Sequence, residues 1–445
     1  MVSDYFSEEE IKTLDKCITY ASGRRMIISK ITREHEHNWQ TVETPHRVCR
    51  EMLGLIPEDV ENFIIFFSLE FLEVLVKELG FEGDRVIFIA DNELEANVAV
   101  VLYGVQAVVY SRQDVSGIAI KELIEGTGMK FGKIAVVGNP PYQQIDGKGG
   151  KGTSAKPIYH LFVEAVIDYL KPNYFSFIIP SRWMVGGKGL DSFRNRIRQD
   201  KSFKTIIDDM SCNGIFENVD VAGGVCYFLR CKNYNGPCSF NGVSRFLDEE
   251  DIIIRENELR AILTKVKSIS SNYIGESASA LKPYGFRADV IQEKKGVPCW
   301  FKKSVGKGFV NPSVVTDPRK DINKWKVFVP SAPIAGQTNF TKPITIFNNN
   351  IIVAEPGEVC TETFLVLNSF NSKTEANNFA LYVRTKFFRY MLRTRVISQN
   401  VSRSCYNWVP DLKDYSRSWT DEYLYHKFGL TDDDIKHIES KIRGI

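Results

Sequence analysis

The sequence predicts an α/β protein, with a doubly wound and largely parallel sheet followed by a smaller α+β region. From residue 62 onward, short apolar runs alternate with segments of helical periodicity, which is the pattern of parallel strands covered by helices. In chain order, the apolar runs are NFIIFF, RVIFIAD, AVVYS, KIAVVG and YFSFIIP. A chain of 445 residues is long enough for two or three such domains.

The composition excludes several classes of protein. The formal net charge is only +2, so the chain as a whole does not predict a polyanionic partner. The nine cysteines have no common zinc spacing, so we expect reduced thiols and no metal site. The start of the chain lacks the apolar core of a signal peptide, and no run of about 18 apolar residues is present, which predicts an intracellular protein without a membrane span.

The first elements run up to the second apolar strand. Residues 1–43 are predicted to form a helical lead-in. The segment TPHRVCREMLGLI predicts a helix, with Thr44 as its N-cap and Pro45 in its first turn. NFIIFF then passes through Ser68, a good N-cap residue, into the helix LEFLEVLVKEL. RVIFIAD ends at Asp91 and precedes the helix NELEANVAVVLYG.

The following strands complete the predicted sheet. AVVYS precedes Asp114, and KIAVVG precedes the tetrapeptide Asn139–Tyr142. After the helix IYHLFVEAVIDYL and the strand YFSFIIP, the segments FKTIIDDM and GGVCYFLRC are expected to finish the sheet as a hairpin. Ligands of parallel α/β sheets bind beyond the carboxyl ends of the strands. Asp91, Asp114 and Asn139–Tyr142 therefore mark one expected functional edge.

The C-terminal half has a different character. A helical linker is predicted over 251–296, and residues 297–445 are rich in short strands, asparagine, proline and aromatic residues. Residues 301–410 contain 15 lysines and arginines against 6 acidic residues. The segment YVRTKFFRYMLRTRV mixes basic and aromatic side chains, which is typical of a surface that follows a nucleic-acid backbone. A solvated basic face on an ordinary domain is the alternative.

The tetrapeptide Asn139–Tyr142 has a specific chemical interpretation. The exocyclic amine of adenine is a poor nucleophile because its lone pair is delocalised into the ring. The side-chain oxygen of Asn139 and the backbone carbonyl of Pro140 can accept its protons and stabilise the positive charge that develops on methylation. Pro140 and Pro141 stiffen the turn, and Tyr142 offers a face on which a flipped base can stack. The alternative is a simple tight turn.

The chain resembles the gamma-class DNA adenine-N6 methyltransferases of restriction–modification systems, which carry [DNS]-P-P-[YFW] at this strand end. TPHRVCREML, FSFIIPSRWMVGGKGLDSFR and GIFENVDVAGGVCYFL also resemble segments of that family, in the same order. The resemblance implies a Rossmann-like methyltransferase domain over 44–250 and a target-recognition domain over 297–445. It also implies S-adenosylmethionine as cofactor, double-stranded DNA as substrate, and a bacterial or phage-encoded cytoplasmic protein with a cognate restriction or methyltransferase subunit as a candidate partner.

The resemblance also implies roles for single residues. Residues expected at the methyl donor are Thr44, Pro45, Ser68, Glu70, Asp91, Asp114 and Phe162. For the two aspartates a plain turn or helix-cap role remains open, and for Phe162 a role in the helix core. Residues expected at DNA are Arg182, Trp183, Arg384, Lys386, Arg389, Arg393 and Arg395, with Trp183 as a buried anchor as the alternative.

One departure from the family pattern affects the donor side. The family has a glycine-rich loop, roughly Asp-Pro-x-x-Gly-x-Gly, after its first strand, whereas this chain has IIFFSLEFLEVLVKEL without glycine. We expect an active adenine methyltransferase with an altered donor pocket. A methyltransferase-like DNA-binding protein without donor binding, and a chain completed by a partner subunit, are the alternatives. Methylation of a glutamine side chain, which also uses Asn-Pro-Pro-Tyr, is a further one.

Overall fold

The computed structural model describes residues 43–445 apart from short gaps. The gaps are 111–114, 145–155, 187–188, 213, 217–220, 222, 303, 335, 338–341 and 397–400. The predicted lead-in up to residue 42, and Asp114, therefore lie outside the described residues. The chain divides into two compact units, Met1–Ile253 and Ile254–Ile445.

The first unit contains a large mixed sheet. Its strands and one small hairpin are β1 (Asn62–Phe66), β2 (Val86–Ala90), β3 (Gln106–Val109), β4 (Ile134–Gly138), β5 (Gln143–Gln144), β6 (Lys156–Pro157), β7 (Tyr174–Pro180), β8 (Phe203–Asp209), β9 (Val225–Cys231), β10 (Cys238–Phe240) and β11 (Val243–Arg245). Among the described residues, the sheet order is β11-β10-β8-β9-β7-β4-β1-β2-β3, and β5 pairs with β6 alone.

The parallel part of this sheet confirms the alternating pattern of the sequence. β3, β2, β1, β4 and β7 are parallel neighbours. β9 runs antiparallel between β7 and β8, which confirms the predicted hairpin. The short strands β10 and β11 extend the sheet beyond the prediction, because three residues are too few to show a period. β1 and β2 are buried at every position, as expected for strands with helices on both faces.

In chain order, the first helix of this unit precedes β1, and each of the others follows a strand. They are α1 (His46–Gly54), α2 (Leu69–Leu72, continued as a π-helix over Glu73–Glu78), α3 (Glu93–Tyr103), α4 (Gly117–Gly126), α5 (Tyr159–Ala165, continued as a π-helix over Val166–Leu170) and α6 (Asp191–Gln199). The N-cap of α1 is Pro45, without a side-chain hydrogen bond, so the prediction of Thr44 as the cap is wrong. Thr44 lies one residue earlier, where its hydroxyl can bond elsewhere.

The second unit contains two small sheets. Its strands are β12 (Val297–Trp300), β13 (Lys307–Val310), β14 (Trp325–Pro330), β15 (Ile352–Ala354), β16 (Val359–Cys360) and β17 (Phe364–Phe370). They form the sheets β13-β12-β16 and β15-β14-β17. Its helices are α7 (Asn257–Ile269), α8 (Ile274–Ser277), α9 (Lys373–Arg384), α10 (Lys386–Arg393), α11 (Asp421–Lys427) and α12 (Asp432–Lys441). No helix in the described part of the chain is long and apolar enough to cross a membrane.

A buried lysine in β14 connects the neighbouring loops through hydrogen bonds. Lys326 is fully buried, and its ammonium donates to the carbonyl oxygens of Ile322 (2.7 Å), Lys324 (2.7 Å) and Glu355 (3.1 Å). Burial lowers the pKa of Lys326 to about 8, because the charged form loses hydration that the carbonyls replace only in part. The stability of this unit therefore depends on pH.

Candidate functional site

The site lies where the order of the strands reverses. From β1 the chain continues to β2 and β3 on one side, whereas β4 lies on the other side of β1. The carboxyl ends of β1 and β4 thus border the crevice in which doubly wound sheets bind ligands. Phe66 and Gly138 are paired at these two ends, and the backbone N–H of Asn139 donates to the carbonyl of Phe66 at 3.2 Å.

Gly138 allows β4 to approach β1 at this point. A Cβ atom at Gly138 would lie 2.5 Å from the carbonyl oxygen of Phe66 and 2.7 Å from its Cβ. Any other residue would therefore push the two strands apart just before Asn139. The glycine that precedes the tetrapeptide thus fixes its position at the crevice.

Asn139 is held by a polar network that includes Thr44. The Asn139 side-chain amide Nδ2 donates to Thr44 Oγ1 at 3.1 Å, and both residues are buried. Ser68 Oγ lies 3.5 Å from Thr44 Oγ1 and donates to Glu70 Oε2 at 2.7 Å. Because the amide is planar, a nitrogen bonded to Thr44 directs Oδ1 to the opposite side. Thr44, Ser68 and Glu70, which are among the residues expected at the donor, form one hydrogen-bonded group beside Asn139.

The rest of the tetrapeptide is also buried. Pro140 and Pro141 are enclosed, and the Tyr142 ring is 4% exposed. The Tyr142 hydroxyl has no hydrogen-bond partner among the described residues, and burial raises its pKa well above the usual value. Tyr142 shares its apolar cluster with Cys212 and Phe216. In this conformation Tyr142 is not an exposed platform, so stacking of a flipped base on it requires its cover to move.

Two further buried hydroxyls, those of Tyr159 and Ser181, lie near the site and were missed in the sequence analysis. Tyr159 begins α5 directly after Ile158, whose backbone N–H donates to the carbonyl of Tyr142 at 3.2 Å. Ser181 follows β7 and is fully buried. Like Tyr142, Tyr159 and Ser181 have hydroxyl oxygens without a partner among the described residues. Buried hydroxyls without partners are uncommon and require an explanation. No sequence pattern distinguishes them from ordinary core residues.

One of the two glycines of AGGVCYF serves strand packing. Gly223 and Gly224 both have positive φ, at +92° and +80°. A Cβ at Gly224 would lie 2.1 Å from the carbonyl oxygen of Asp209, at the end of β8. The Gly224 carbonyl accepts from the backbone N–H of Ser181 at 2.9 Å. Gly224 therefore permits close contact between β9 and its two neighbours.

The end of β1 does not offer a cradle for S-adenosylmethionine. Phe67, Ser68 and Glu70 are all buried, at 7%, 4% and 5% exposure. No glycine occurs between Gly54 and Gly80, so no backbone there can approach a ligand as a glycine-rich loop does. Ser68 occupies the N-cap position of α2, but its hydroxyl bonds to a side chain rather than to the helix backbone. The residues described here do not fit the donor in this conformation.

Asp91 and Phe162 have different positions in the donor region. Asp91 follows β2 and is half-buried, and the neighbouring Asn92 caps α3 by accepting from the backbone N–H of Glu95 at 2.9 Å. The Asp91 side chain is therefore not the cap of α3. Phe162 is fully buried, with its ring centroid 5.4 Å from that of Phe67. Its place is in the helix core, behind Phe67.

The two residues after β7 that were expected to contact DNA, Arg182 and Trp183, differ in exposure. Arg182 is exposed, which leaves it available to a phosphate. Trp183 is 1% exposed and packs edge-to-face on Phe193, with ring centroids 5.3 Å apart. A DNA-facing role for Trp183 is therefore wrong for this conformation, because its ring is part of the core.

Most of the basic segment around α10 is structural. Arg389 is 2% exposed and donates to the carbonyl of Arg443 at 2.6 Å, and Arg393 is 3% exposed and donates to Glu256 at 2.6 Å. Arg395 is buried, with its guanidinium 4.5 Å from the Trp408 ring centroid. The prediction of a DNA-facing surface is wrong for these three arginines.

The remaining two basic candidates are partly exposed. Arg384 donates to Asn349 Oδ1 at 3.2 Å and to the Ile351 carbonyl at 3.4 Å. Lys386 pairs with Glu439. The basic residues of this segment therefore hold the helix in place through ion pairs and hydrogen bonds to carbonyls. Their alternation with aromatic residues is explained by these contacts at least as well as by a nucleic-acid-binding surface.

A cavity of about 370 Å³ lies in the second unit, at residues that the sequence did not single out. Among the described residues, its lining includes aromatic and amide side chains and one lysine, and no carboxylate: Trp300, Phe301, Lys302, Gly306, Pro330, Ala332, Asn349, Asn350, Ile352, Thr363 and Phe364. The loop that precedes β15 and contributes Asn349 and Asn350 to this lining has three consecutive positive φ angles, at Phe347 (+70°), Asn348 (+40°) and Asn349 (+58°). Such strained backbone is concentrated at functional sites.

Part of the first unit is similar to known proteins. Residues 112–216 match the family described as Eco57I restriction-modification methylase. This segment includes the tetrapeptide, α5 and Arg182. An "Uncharacterized adenine-specific methylase" of Mycoplasma pneumoniae is 33% identical over 164 residues, which cover 32% of this chain and 38% of that protein. The chain is thus similar, over residues 112–216, to a family of restriction-modification methylases, and over about a third of its length to a protein named as an adenine-specific methylase.

Solved structures to which the chain is similar include a restriction endonuclease and a restriction-modification enzyme. The type IIG restriction endonuclease BpuSI gives a TM-score of 0.43 at 11% identity, over 94% of this chain and 63% of that one. The type IIL enzyme MmeI, solved in complex with DNA, gives 0.45 at 10% identity, over 93% and 68%. A type I methyltransferase subunit from Streptococcus thermophilus gives 0.33 at 13% identity, over 56% and 57%.

Proposed function

We propose that this chain acts on the N6 amine of adenine in double-stranded DNA, as a site-specific adenine methyltransferase. The observation that carries the proposal is the hydrogen bond from Asn139 Nδ2 to Thr44 Oγ1, 3.1 Å long and buried at the carboxyl end of β4. It fixes the amide so that the Asn139 oxygen, rather than its nitrogen, points away from Thr44. An acceptor oriented in advance suits the amine of an incoming base.

The chemistry of the site follows from its acceptors. Asn139 Oδ1 and the Pro140 carbonyl would each accept one proton of the amine, which concentrates electron density on its nitrogen. A bound donor would supply the methyl group and keep the electron pair of its broken sulfur–carbon bond, so the nitrogen would be positively charged until it loses one of its protons to solvent. The same two acceptors would interact more strongly with the charged amine. No strong base is required, because the nitrogen becomes acidic as it is alkylated. Burial strengthens both interactions by excluding water.

The unpartnered hydroxyls support a polar ligand at this place. Tyr142, Tyr159 and Ser181 are buried with unused hydrogen-bonding capacity among the described residues. A purine has ring nitrogens that accept and an amine that donates, so it can satisfy such groups. Arg182 is exposed beside them and is suited to a backbone phosphate.

The test is direct detection of the modified base. Unmethylated genomic DNA is incubated with the chain and S-adenosylmethionine at millimolar concentration, and then sequenced by a method that detects N6-methyladenine. We expect methylated adenine within one short sequence context, and none with Asn139→Ala. If Asn139→Ala methylates as well as the parent chain, the assignment of the site is refuted.

A second function is favoured by the closed end of β1. A non-catalytic DNA-binding protein, or a subunit that depends on a partner methyltransferase, needs no donor site, and the buried Phe67–Glu70 segment is consistent with that. Calorimetry with S-adenosylmethionine, alongside DNA binding by fluorescence anisotropy, separates the two functions. DNA binding without any donor binding, by the chain and by the Phe67 variants described below, would favour the second.

A further inference from the structure

Phe67 adopts a backbone conformation that phenylalanine rarely takes. Its φ is +57°, in the left-handed region, directly after β1. A bulky residue is strained there, whereas glycine is not. The conformation is stabilised by its surroundings: the Phe67 N–H donates to the carbonyl of Ile89 at 3.0 Å, and the side chain is 7% exposed. Strain of this kind persists only where the surrounding structure imposes it.

The left-handed turn directs the Phe67 ring into a cluster of aromatic rings. Its centroid lies 5.6 Å from that of Phe66 and 5.4 Å from that of Phe162, both edge-to-face. Phe162 in turn lies 6.4 Å from Tyr110, which follows β3. These rings therefore fill the region at the carboxyl ends of β1, β2 and β3. The resemblance to adenine methyltransferases implies that the purine part of the donor would need this region, because Phe162 is one of the residues expected at the donor.

The space is closed by backbone as well as by side chains. Asn139 N–H donates to the Phe66 carbonyl, and Phe67 N–H donates to the Ile89 carbonyl, so both edges of the β1 end are bonded to neighbouring strands. The next residue, Ser68, is buried, with its hydroxyl bonded to Glu70. A purine is larger than a phenyl ring, so the two cannot share this space.

We propose that Phe67 occupies the place of the donor's adenosine group, so that S-adenosylmethionine binds only when the Phe67 side chain leaves its cluster. The inference rests on the proposed function for the location of the donor. The population of the open conformation then limits donor affinity, because the apparent dissociation constant is the intrinsic one divided by the open fraction.

The substitution Phe67→Gly tests this. It removes the ring and also suits a φ of +57°, so it opens the site without new backbone strain. Isothermal titration calorimetry of the full chain with S-adenosylmethionine, and separately with S-adenosylhomocysteine, is expected to give a dissociation constant at least tenfold lower for the variant. Phe67→Ala removes the ring but keeps a Cβ at the strained position, so a smaller gain is expected.

A matched control lies at the other end of the same strand. Phe63 is buried and packs on Phe81 with ring centroids 4.9 Å apart. Phe63→Ala also deletes a phenyl ring from β1, but away from the crevice, so donor affinity should remain that of the parent chain. Circular dichroism checks that each variant is folded. If Phe67→Gly does not fold, Phe67→Ala is judged by the same criterion of tighter binding than the parent.

The outcomes separate this inference from the proposed function. Donor binding by the parent as tight as by Phe67→Gly, or no binding by either Phe67 variant, overturns the inference. A parent chain that binds donor tightly and methylates adenine would overturn the inference and leave the function intact. A Phe67→Gly chain that binds donor tightly but never methylates adenine would support the inference and contradict the function.

Discussion

Replacing Gly138 with alanine should separate β4 from β1 at the entrance to the site. The new Cβ would lie 2.5 Å from the carbonyl oxygen of Phe66, 2.7 Å from its Cβ and 2.9 Å from its nitrogen. These are atoms of the neighbouring strand, largely backbone, so no side-chain rotation relieves the clash. The strands must move apart by several tenths of an ångström, which lengthens the 3.2 Å bond from Asn139 N–H to the Phe66 carbonyl.

The expected cost is about 2–3 kcal/mol in the free energy of unfolding, the upper part of the range for overpacking a core. For a unit of this size, that corresponds to a fall of roughly 4–12 °C in melting temperature. Both quantities can be measured by circular dichroism, in urea and on heating. Gly126→Ala is the control, since its Cβ would have no atom within 4 Å at the exposed end of α4. It should be neutral or slightly stabilising.

A Gly138→Ala variant within about 0.5 kcal/mol of the parent would refute this reasoning. It would mean that β1 and β4 adjust without cost, and that Gly138 does not fix the position of the tetrapeptide. If instead stability falls as expected, the site should also lose activity, because Asn139 moves with the displaced strand.

Three further predictions concern the site and the second unit. Thr44→Val removes the acceptor of the 3.1 Å bond from Asn139 Nδ2 at nearly constant volume. The rate of adenine methylation should therefore fall roughly 5- to 150-fold, while the affinity for DNA, measured by fluorescence anisotropy, stays unchanged. An unchanged methylation rate would contradict the role of Thr44 in positioning Asn139. Lys326→Met should change how stability depends on pH, because the folded pKa of Lys326, about 8, lies below its ordinary 10.5. Between these two pKa values the unfolded chain binds more protons than the folded chain, so the stability of the parent rises with pH. In urea unfolding, the free energy of unfolding of the parent should increase by roughly 2–3 kcal/mol relative to that of the variant between pH 8 and pH 10. A difference in stability that does not change with pH would contradict this prediction. Asn350→Ala tests whether the cavity, in the region expected to recognise the target, reads bases. Because amide side chains can pair with base edges, this variant should weaken sequence preference in selection from random DNA. Asn348→Ala, on the same loop but outside the lining, should not, and equal preference in both variants would exclude a reading role for the cavity.

The central part of the fold was predictable because its signals are local and repeated. Five apolar strands alternate with helices, and that periodicity was sufficient to place β4 and the tetrapeptide at the functional edge. β10 and β11 were missed because strands of three residues show no period. Thr44 was predicted as a helix cap, but the helix begins two residues later. The Thr44 hydroxyl instead accepts a hydrogen bond from Asn139, which is 95 positions away in the chain. A contact between residues so far apart in the chain cannot be predicted from a single sequence.

The arginines of α10 show a second limit. A sequence reports charge but not burial, and Arg389 and Arg393 are buried with partners near residues 443 and 256. The conformation of Phe67 shows a third limit. The absence of glycine after β1 was visible in the sequence, but the direction of the ring depends on a positive φ that no local pattern predicts for phenylalanine.

The most direct test of the adenine-amine site is mass spectrometry of nucleosides from DNA treated with S-adenosylmethionine and two variants. One is Phe67→Gly, and the other combines Phe67→Gly with Asn139→Ala. This assignment of the site predicts N6-methyladenine from the first variant and none above background from the second. Equal N6-methyladenine from both variants, or a methyl group found only on cytosine, would contradict it.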